Sequence, residues 1–263
     1  MCADKYYTNS KIAEKCCDIL RNAININYKK DIVIEPSAGQ GAFIRPIKRL
    51  CKNNLFLDIC PKHFLIRKSD YLKFVFKDVS KYRKIHIVGN PPFGFKGSLA
   101  FKFIKKSAEF CNTIAFILPK SFGKISMQKS VPLNFHLIKC YELPTHSFHH
   151  NNKNYDVPSI FQIWIKKPYL RYKPVKLLPH RFVFTDNVQK ADFAIRRVGV
   201  NAGHIFTKNL QTKNKNTHYF AILDRKSDKK KLKNIISSTK QFSTGPFSIS
   251  KREFIKILNK MLL

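Results

Sequence analysis

The tetrapeptide Asn90-Pro91-Pro92-Phe93 carries the most specific chemistry in the sequence. An arylamine nitrogen is a poor nucleophile because its lone pair is delocalised into the ring. If the Asn90 side-chain oxygen and the Pro91 carbonyl each accept one amine hydrogen, the nitrogen rehybridises and its lone pair can be aimed at an electrophilic carbon. Pro91 and Pro92 stiffen the backbone that holds the two acceptors. Phe93 offers a π-face on which a base drawn out of its stack can lie. No general base has to act first, since the amine becomes acidic as it gains its new substituent.

Two further constellations lie upstream. Glu35-Pro36-Ser37-Ala38-Gly39-Gln40-Gly41-Ala42-Phe43 follows a short apolar run and precedes a helical pattern. Gly39 and Gly41 allow a sharp turn and close backbone approach, and the unpaired N–H groups of the next helix suit a nucleotide-like ligand. A glycine pair alone reads equally well as a tight turn. Asp58, at the next strand end, is placed to accept hydrogen bonds from both hydroxyls of a ribose, with Ile59 beside it to pack on an adenine face. Asp70, followed by Tyr71, offers a second carboxylate, for an adenine amino group. Either Asp alone is more often a helix cap or a surface residue.

These residues need a scaffold, and the hydrophobic pattern supplies one. Asn9 to Leu20 reads as an amphipathic helix. Apolar runs at 32–34, 55–57, 85–88, 114–118, 136–143 and 160–165 alternate with helical stretches at 42–51, 71–82 and 98–110. This predicts an α/β fold with a mostly parallel, doubly wound sheet, whose ligands bind beyond the carboxyl ends of the strands. Near Lys166 to Pro179 the pattern becomes basic and proline-punctuated, so a first domain is expected over 1–170 and a small basic α+β region over 171–263. In that region strands are expected at 191–198 and 218–223, and helices at 227–236 and 250–262. Ser250 and Glu253 form a capping-box signature for the last helix.

Taken in order, the motifs resemble the N6-adenine methyltransferases of the amino-methyltransferase group in which the cofactor motifs precede the catalytic motif and target recognition is C-terminal. Asp4-Lys5-Tyr6-Tyr7-Thr8-Asn9 is similar to the family's N-terminal motif, whose aromatic residue and Thr contact the methionine end of the cofactor. The resemblance covers about residues 4–167. It implies a Rossmann-like methyltransferase fold with S-adenosylmethionine as cofactor. Tyr7, Thr8, Glu35, Ser37, Gly39, Gly41, Phe43, Asp58, Ile59, Asp70, Tyr71 and Asn90 are then cofactor-binding, and Asn90 to Phe93 catalytic. Glu35 stands where many methyltransferases have Asp. Related Asn-Pro-Pro-aromatic enzymes methylate guanine N2 in ribosomal RNA or glutamine in proteins, and a methyltransferase fold without activity, serving as a nucleic-acid-binding subunit, is a further alternative.

Charge bears on the choice. Lys and Arg number 50 against 16 Asp and Glu, a formal charge of +34. Such a surface suits a nucleic-acid partner and speaks against a protein substrate; a compositional bias toward Lys codons is the bland alternative. Phe95 and Lys96, after the tetrapeptide, and Arg196 and Arg197, before a glycine-rich turn, are the expected nucleic-acid contacts. DNA and RNA both remain open, as does the need for a partner subunit. No apolar run is long enough for a membrane span and no signal-peptide pattern opens the chain, so a soluble, intracellular protein is expected. The cysteines lack CxxC spacing and are expected as reduced, mostly buried thiols. The histidines of 145–155 lack a completing ligand, so that segment reads as a mobile loop over the cleft and no metal site is expected.

Overall fold

The computed structural model describes residues 6–150, 153–172, 177–233 and 248–263. The chain divides into two compact units, Met1–Lys173 and Pro174–Leu263.

The first unit is built on a seven-stranded sheet. Its strands in chain order are β2 (Ile32–Glu35), β3 (Asn53–Asp58), β4 (Arg67–Lys68), β5 (Ile85–Gly89), β6 (Thr113–Pro119), β7 (Phe135–Glu142) and β10 (Ser159–Lys166), arranged β4-β3-β2-β5-β6-β10-β7. β2 pairs in parallel with both β3 and β5, and β5 with β6, while β10 runs antiparallel to β6 and β7. The sheet is therefore mostly parallel and doubly wound, a Rossmann-like arrangement. Chain order reverses between β2 and β5, so a crevice opens there at the carboxyl edge.

Alternation along the strands sends side chains to two cores. On one face Val33, Val88, Ala115 and Ile163 pack with α1 (Ser10–Ala23) and α2 (Ile44–Leu50). On the other, Ile34, Ile87, Phe116 and Trp164 pack with α3 (Ser98–Ala108). α4 (Ile125–Gln128) is a single short turn.

In the first unit three expectations need correction. Residues 71–82 form turns and a 3-10 turn at Val79–Lys81, not an α-helix. Aromatic and β-branched residues are poor helix formers, and here Tyr71, Phe74, Phe76 and Tyr82 join a ring cluster with Phe103 and Phe110 at centroid separations of 5.3–6.4 Å. The 145–155 segment is not a plain loop: β8 (Phe148–His150) and β9 (Lys153–Tyr155) form a hairpin whose edge takes up β1 (Tyr7–Thr8). Cys16, Cys17, Cys51 and Cys111 are buried free thiols and Cys140 an exposed one, but Cys60 is disulfide-bonded.

In the second unit β11 (Phe182–Thr185), β12 (Phe193–Arg196), β13 (Ile205–Phe206) and β14 (His218–Leu223) make an antiparallel sheet in the order β11-β14-β12-β13. Phe182, Phe193 and Leu223 pack with Phe254, Leu258 and Leu262 of or beside α5 (Lys251–Met261), which the Ser250–Glu253 capping box opens. The expected helix at 227–236 is a 3-10 stretch, Lys226–Lys231, and its last residues fall outside the described ones. Among the described residues no helix is long and apolar enough to cross a membrane.

Candidate active site

A cavity of about 400 Å³ sits at the carboxyl ends of β2, β3 and β5. Tyr7, Ser37, Gly39, Asp58, Ile59, Asp70, Tyr71 and Asn90 to Phe93 line it. The topology brings these segments together because the three parallel strands end on the same edge.

The glycine loop is shaped for close approach. Gly39 has φ +50 and a Cβ there would lie 3.1 Å from the Tyr7 ring; Gly41 has φ +88 and its Cβ would meet Ile44 at 2.6 Å. The Asp58 carboxylate accepts from the Gly39 N–H and the Cys60 N–H, both at 2.7 Å, which pins the loop to the end of β3. Each carboxylate oxygen keeps a further lone pair. Asp70 accepts from the Leu72 N–H at 3.0 Å. Tyr71 is buried and its hydroxyl pairs with Ser107 at 2.8 Å, so only part of it reaches the cavity; burial raises its pKa. Burial and, next, the Asp58 charge raise that of Tyr7.

The segment Asn90 to Phe93 is held from both ends. Ser37 donates to the Asn90 carbonyl at 3.1 Å, and the Phe93 carbonyl accepts from Leu99 and Ala100 at the start of α3. Asn90 donates its amide to the Thr8 hydroxyl at 3.1 Å and the Tyr6 carbonyl at 3.4 Å. Its Oδ1 is buried without a partner. A buried acceptor left unmatched is costly, and here it belongs to a residue lining a cavity that a donor can enter.

Four of the expected residues do not line the cavity. Thr8 is bonded to Asn90 and 6 % exposed. Phe43 is a core residue among α1 and α2, because the helix start turns its ring inward. Gly41 serves the turn. Glu35 lies beneath Gly89, where a Cβ would come within 3.1 Å of its Cγ. Its Oε2 is also unpartnered, and burial, then the Asp58 charge, push its pKa well above the usual carboxylate range. Conversely Tyr6, Leu99, Phe103, Phe148 and Val157 line the cavity without having been singled out for it. Phe148 and Val157 come from or follow the hairpin, and no local sequence signal marks them.

Among the described residues no Lys or Arg lines the cavity, although the chain carries 50 of them, while Asp58 and Asp70 do. With the Asp58 and Asp70 carboxylates in the lining and Asn90 Oδ1 unmatched, the site fits a ligand that brings N–H and O–H donors.

No family model matches the sequence, and no curated protein does. Among solved structures the similarities are low. A candidate RNA methyltransferase from Pyrococcus horikoshii is 15% identical with TM-score 0.49, over 62% of this chain and 87% of the other. The 23S rRNA methyltransferase ErmE is 11% identical with TM-score 0.44, over 65% and 73%. The N-methyltransferase NodS from Bradyrhizobium japonicum is 12% identical with TM-score 0.41, over 60% and 97%. At such values neither substrate nor activity passes from these proteins to this chain.

The expected nucleic-acid contacts lie outside the cavity lining. Phe95 is 80 % exposed, and Lys96, in a left-handed conformation at φ 52, holds its ammonium 4.9 Å from that ring. In the second unit Arg196 bonds the Val198 carbonyl at 3.1 Å and Arg197 lies over Tyr219 at 5.3 Å. Both guanidiniums are half-buried and keep further donors. Among the described residues no group of His, Cys, Asp and Glu is placed to hold a metal.

Proposed function

We propose that the protein is an S-adenosylmethionine-dependent methyltransferase that acts on N6 of adenine in nucleic acid. The observation that carries this reading is the unpartnered, buried Asn90 Oδ1 followed by the rigid Pro91-Pro92 backbone, beside a cavity lined by the Asp58 and Asp70 carboxylates. Asn90 Oδ1 and the Pro91 carbonyl take the two amine hydrogens, and Phe93 stacks the base. Asp58 holds the ribose, Asp70 the adenine amino group, and the Gly39 turn lets the backbone close on the cofactor. The cofactor, when bound, supplies a methyl group on a sulfonium. Asn90 Oδ1 and the Pro91 carbonyl would hold the amine with its lone pair toward that methyl group; the sulfur would keep the electron pair of the broken bond, and the methylated nitrogen would release one proton to solvent.

Incubation of the protein with methyl-labelled cofactor and DNA or RNA, followed by digestion and mass analysis, tests this. N6-methyladenine is the expected product. N2-methylguanine, or no labelled nucleoside at all, would overturn the adenine assignment. Asp58→Ala is expected to weaken cofactor binding by about 1–3 kcal/mol, read by calorimetry, because two hydrogen bonds to the ribose are lost.

Nucleic-acid affinity should fall steeply with salt, since each phosphate neutralised by Lys or Arg releases counterions. Arg196→Ala and Arg197→Ala are expected to lower that affinity and flatten the slope while leaving cofactor binding intact. A flat salt dependence in the wild type would remove the nucleic-acid assignment from the basic surface.

A further inference from the structure

From the bonding of the Asn90 amide we infer that Thr8 is a positioning residue, which with the Tyr6 carbonyl holds Asn90 Nδ2 on the β1 side, leaves Oδ1 as the acceptor and so makes the site selective for an amine. The inference rests on the proposed methyl transfer and assigns Thr8 a task other than cofactor contact.

An Asn side chain can present either its oxygen or its NH2 to a ligand, and only the oxygen accepts an amine hydrogen. The two orientations are nearly equal in shape, so neighbours must decide between them. The Tyr6 carbonyl, 3.4 Å from Asn90 Nδ2, can only accept, which requires the NH2 on that side. The Thr8 hydroxyl, 3.1 Å away, takes the second amide hydrogen. With both donors engaged, Oδ1 is left as the unmatched buried acceptor. In the proposed reaction Asn90 Oδ1 and the Pro91 carbonyl then act as a pair of acceptors, which matches an exocyclic NH2 and repels a carbonyl oxygen such as that of guanine O6.

The lock is held by structure remote in sequence. β1 pairs with β8, Tyr7 opposite His149 and Thr8 opposite Phe148. Asn9 extends the attachment, its N–H bonding the Ser147 carbonyl at 3.0 Å and its side chain the His146 carbonyl at 2.9 Å. His149 reaches Gln40 of the glycine loop at 3.1 Å, and Tyr7 lies against Gly39. The same short strand thus touches the cofactor loop and the catalytic amide.

The test compares Thr8→Val, which keeps the shape and removes the hydroxyl, with Thr8→Ser, which keeps the hydroxyl. The Asn90 side-chain NH2 signals, assigned in nitrogen-15 spectra by their loss in Asn90→Ala, should exchange slowly with solvent in the wild type and in Thr8→Ser but faster in Thr8→Val. Thr8→Val should lower kcat about 10-fold to 10²-fold, the range for disturbing a preorganised contact, with unchanged cofactor affinity, and Thr8→Ser should restore it. Unaltered exchange in Thr8→Val overturns the lock. So does a variant that binds the cofactor more weakly yet reaches wild-type kcat at saturation, since the hydroxyl would then serve the cofactor. If the wild type methylates no nucleic acid while Thr8→Val still frees the amide, the proposed reaction fails and the lock stands.

Discussion

Asn90→Ala is expected to lower methyl transfer by about 10²-fold or more, the scale for losing one preorganised acceptor in a transition state. The variant removes Oδ1 but leaves Asp58, the glycine loop and Phe93, so binding of cofactor and nucleic acid should survive. Single-turnover assays with mass detection of the methylated nucleoside, run beside calorimetric titrations, separate these two effects. Near wild-type turnover would show that Asn90 is not the acceptor. Phe93→Ala should behave differently. Its ring lines the cavity and packs against the core of α1 and α2, so it should weaken capture of the base by about 1–3 kcal/mol as well as slow the reaction.

The largest effect on stability is expected away from the site, at Asp31. This carboxylate is 0 % exposed and ties together the amino ends of β2, β5 and β6. Arg83 donates to both of its oxygens at 2.8 and 2.7 Å, the Asn27 N–H donates at 2.7 Å, and His86 Nε2 lies at 3.2 Å, its other nitrogen 3.0 Å from Thr113 Oγ1. Asp31→Ala should cost about 3 kcal/mol, the lower end for breaking a buried pair, because the Arg83 side chain is 40 % exposed and can turn to water. Urea unfolding measures this, and an unchanged midpoint would contradict it.

The same cluster sets the acid limit. Burial opposes ionisation of Asp31, but the Arg83, Asn27 and His86 hydrogen bonds outweigh it and hold the pKa at about 2. A lowered folded-state value means that the stabilisation is complete above the unfolded value, about 4, and is lost as the pH falls through about 2. Burial also lowers the pKa of His86. The unfolded chain therefore takes up that proton first, and stability should begin to decline below about pH 6.5.

Local signals were enough for most of the scaffold. The apolar runs at 32–34, 55–57, 85–88, 114–118 and 160–165 became strands, since a short apolar run between turn residues has few other ways to bury itself. The Ser250–Glu253 cap and the Gly39 and Gly41 turn were legible for the same reason: their chemistry is contained within a few residues. Asn90-Pro91-Pro92-Phe93 was legible as a candidate from residue type and order alone, and the fold places it in the lining of the cavity. Tertiary structure decided the rest. The insertion of β10 between β6 and β7, and the capture of β1 by β8, are hydrogen-bond pairings between segments far apart in the chain, and no local window encodes a partner. Residues 71–82 followed the aromatic cluster on α3 and not their own spacing. Phe43 went to the core and Thr8 to Asn90, although both sit within motifs that suggest ligand contact. Which partners hold the Asn90 amide depends on neighbours more than 80 residues away in sequence, brought close only when β1 is captured beside the end of β5.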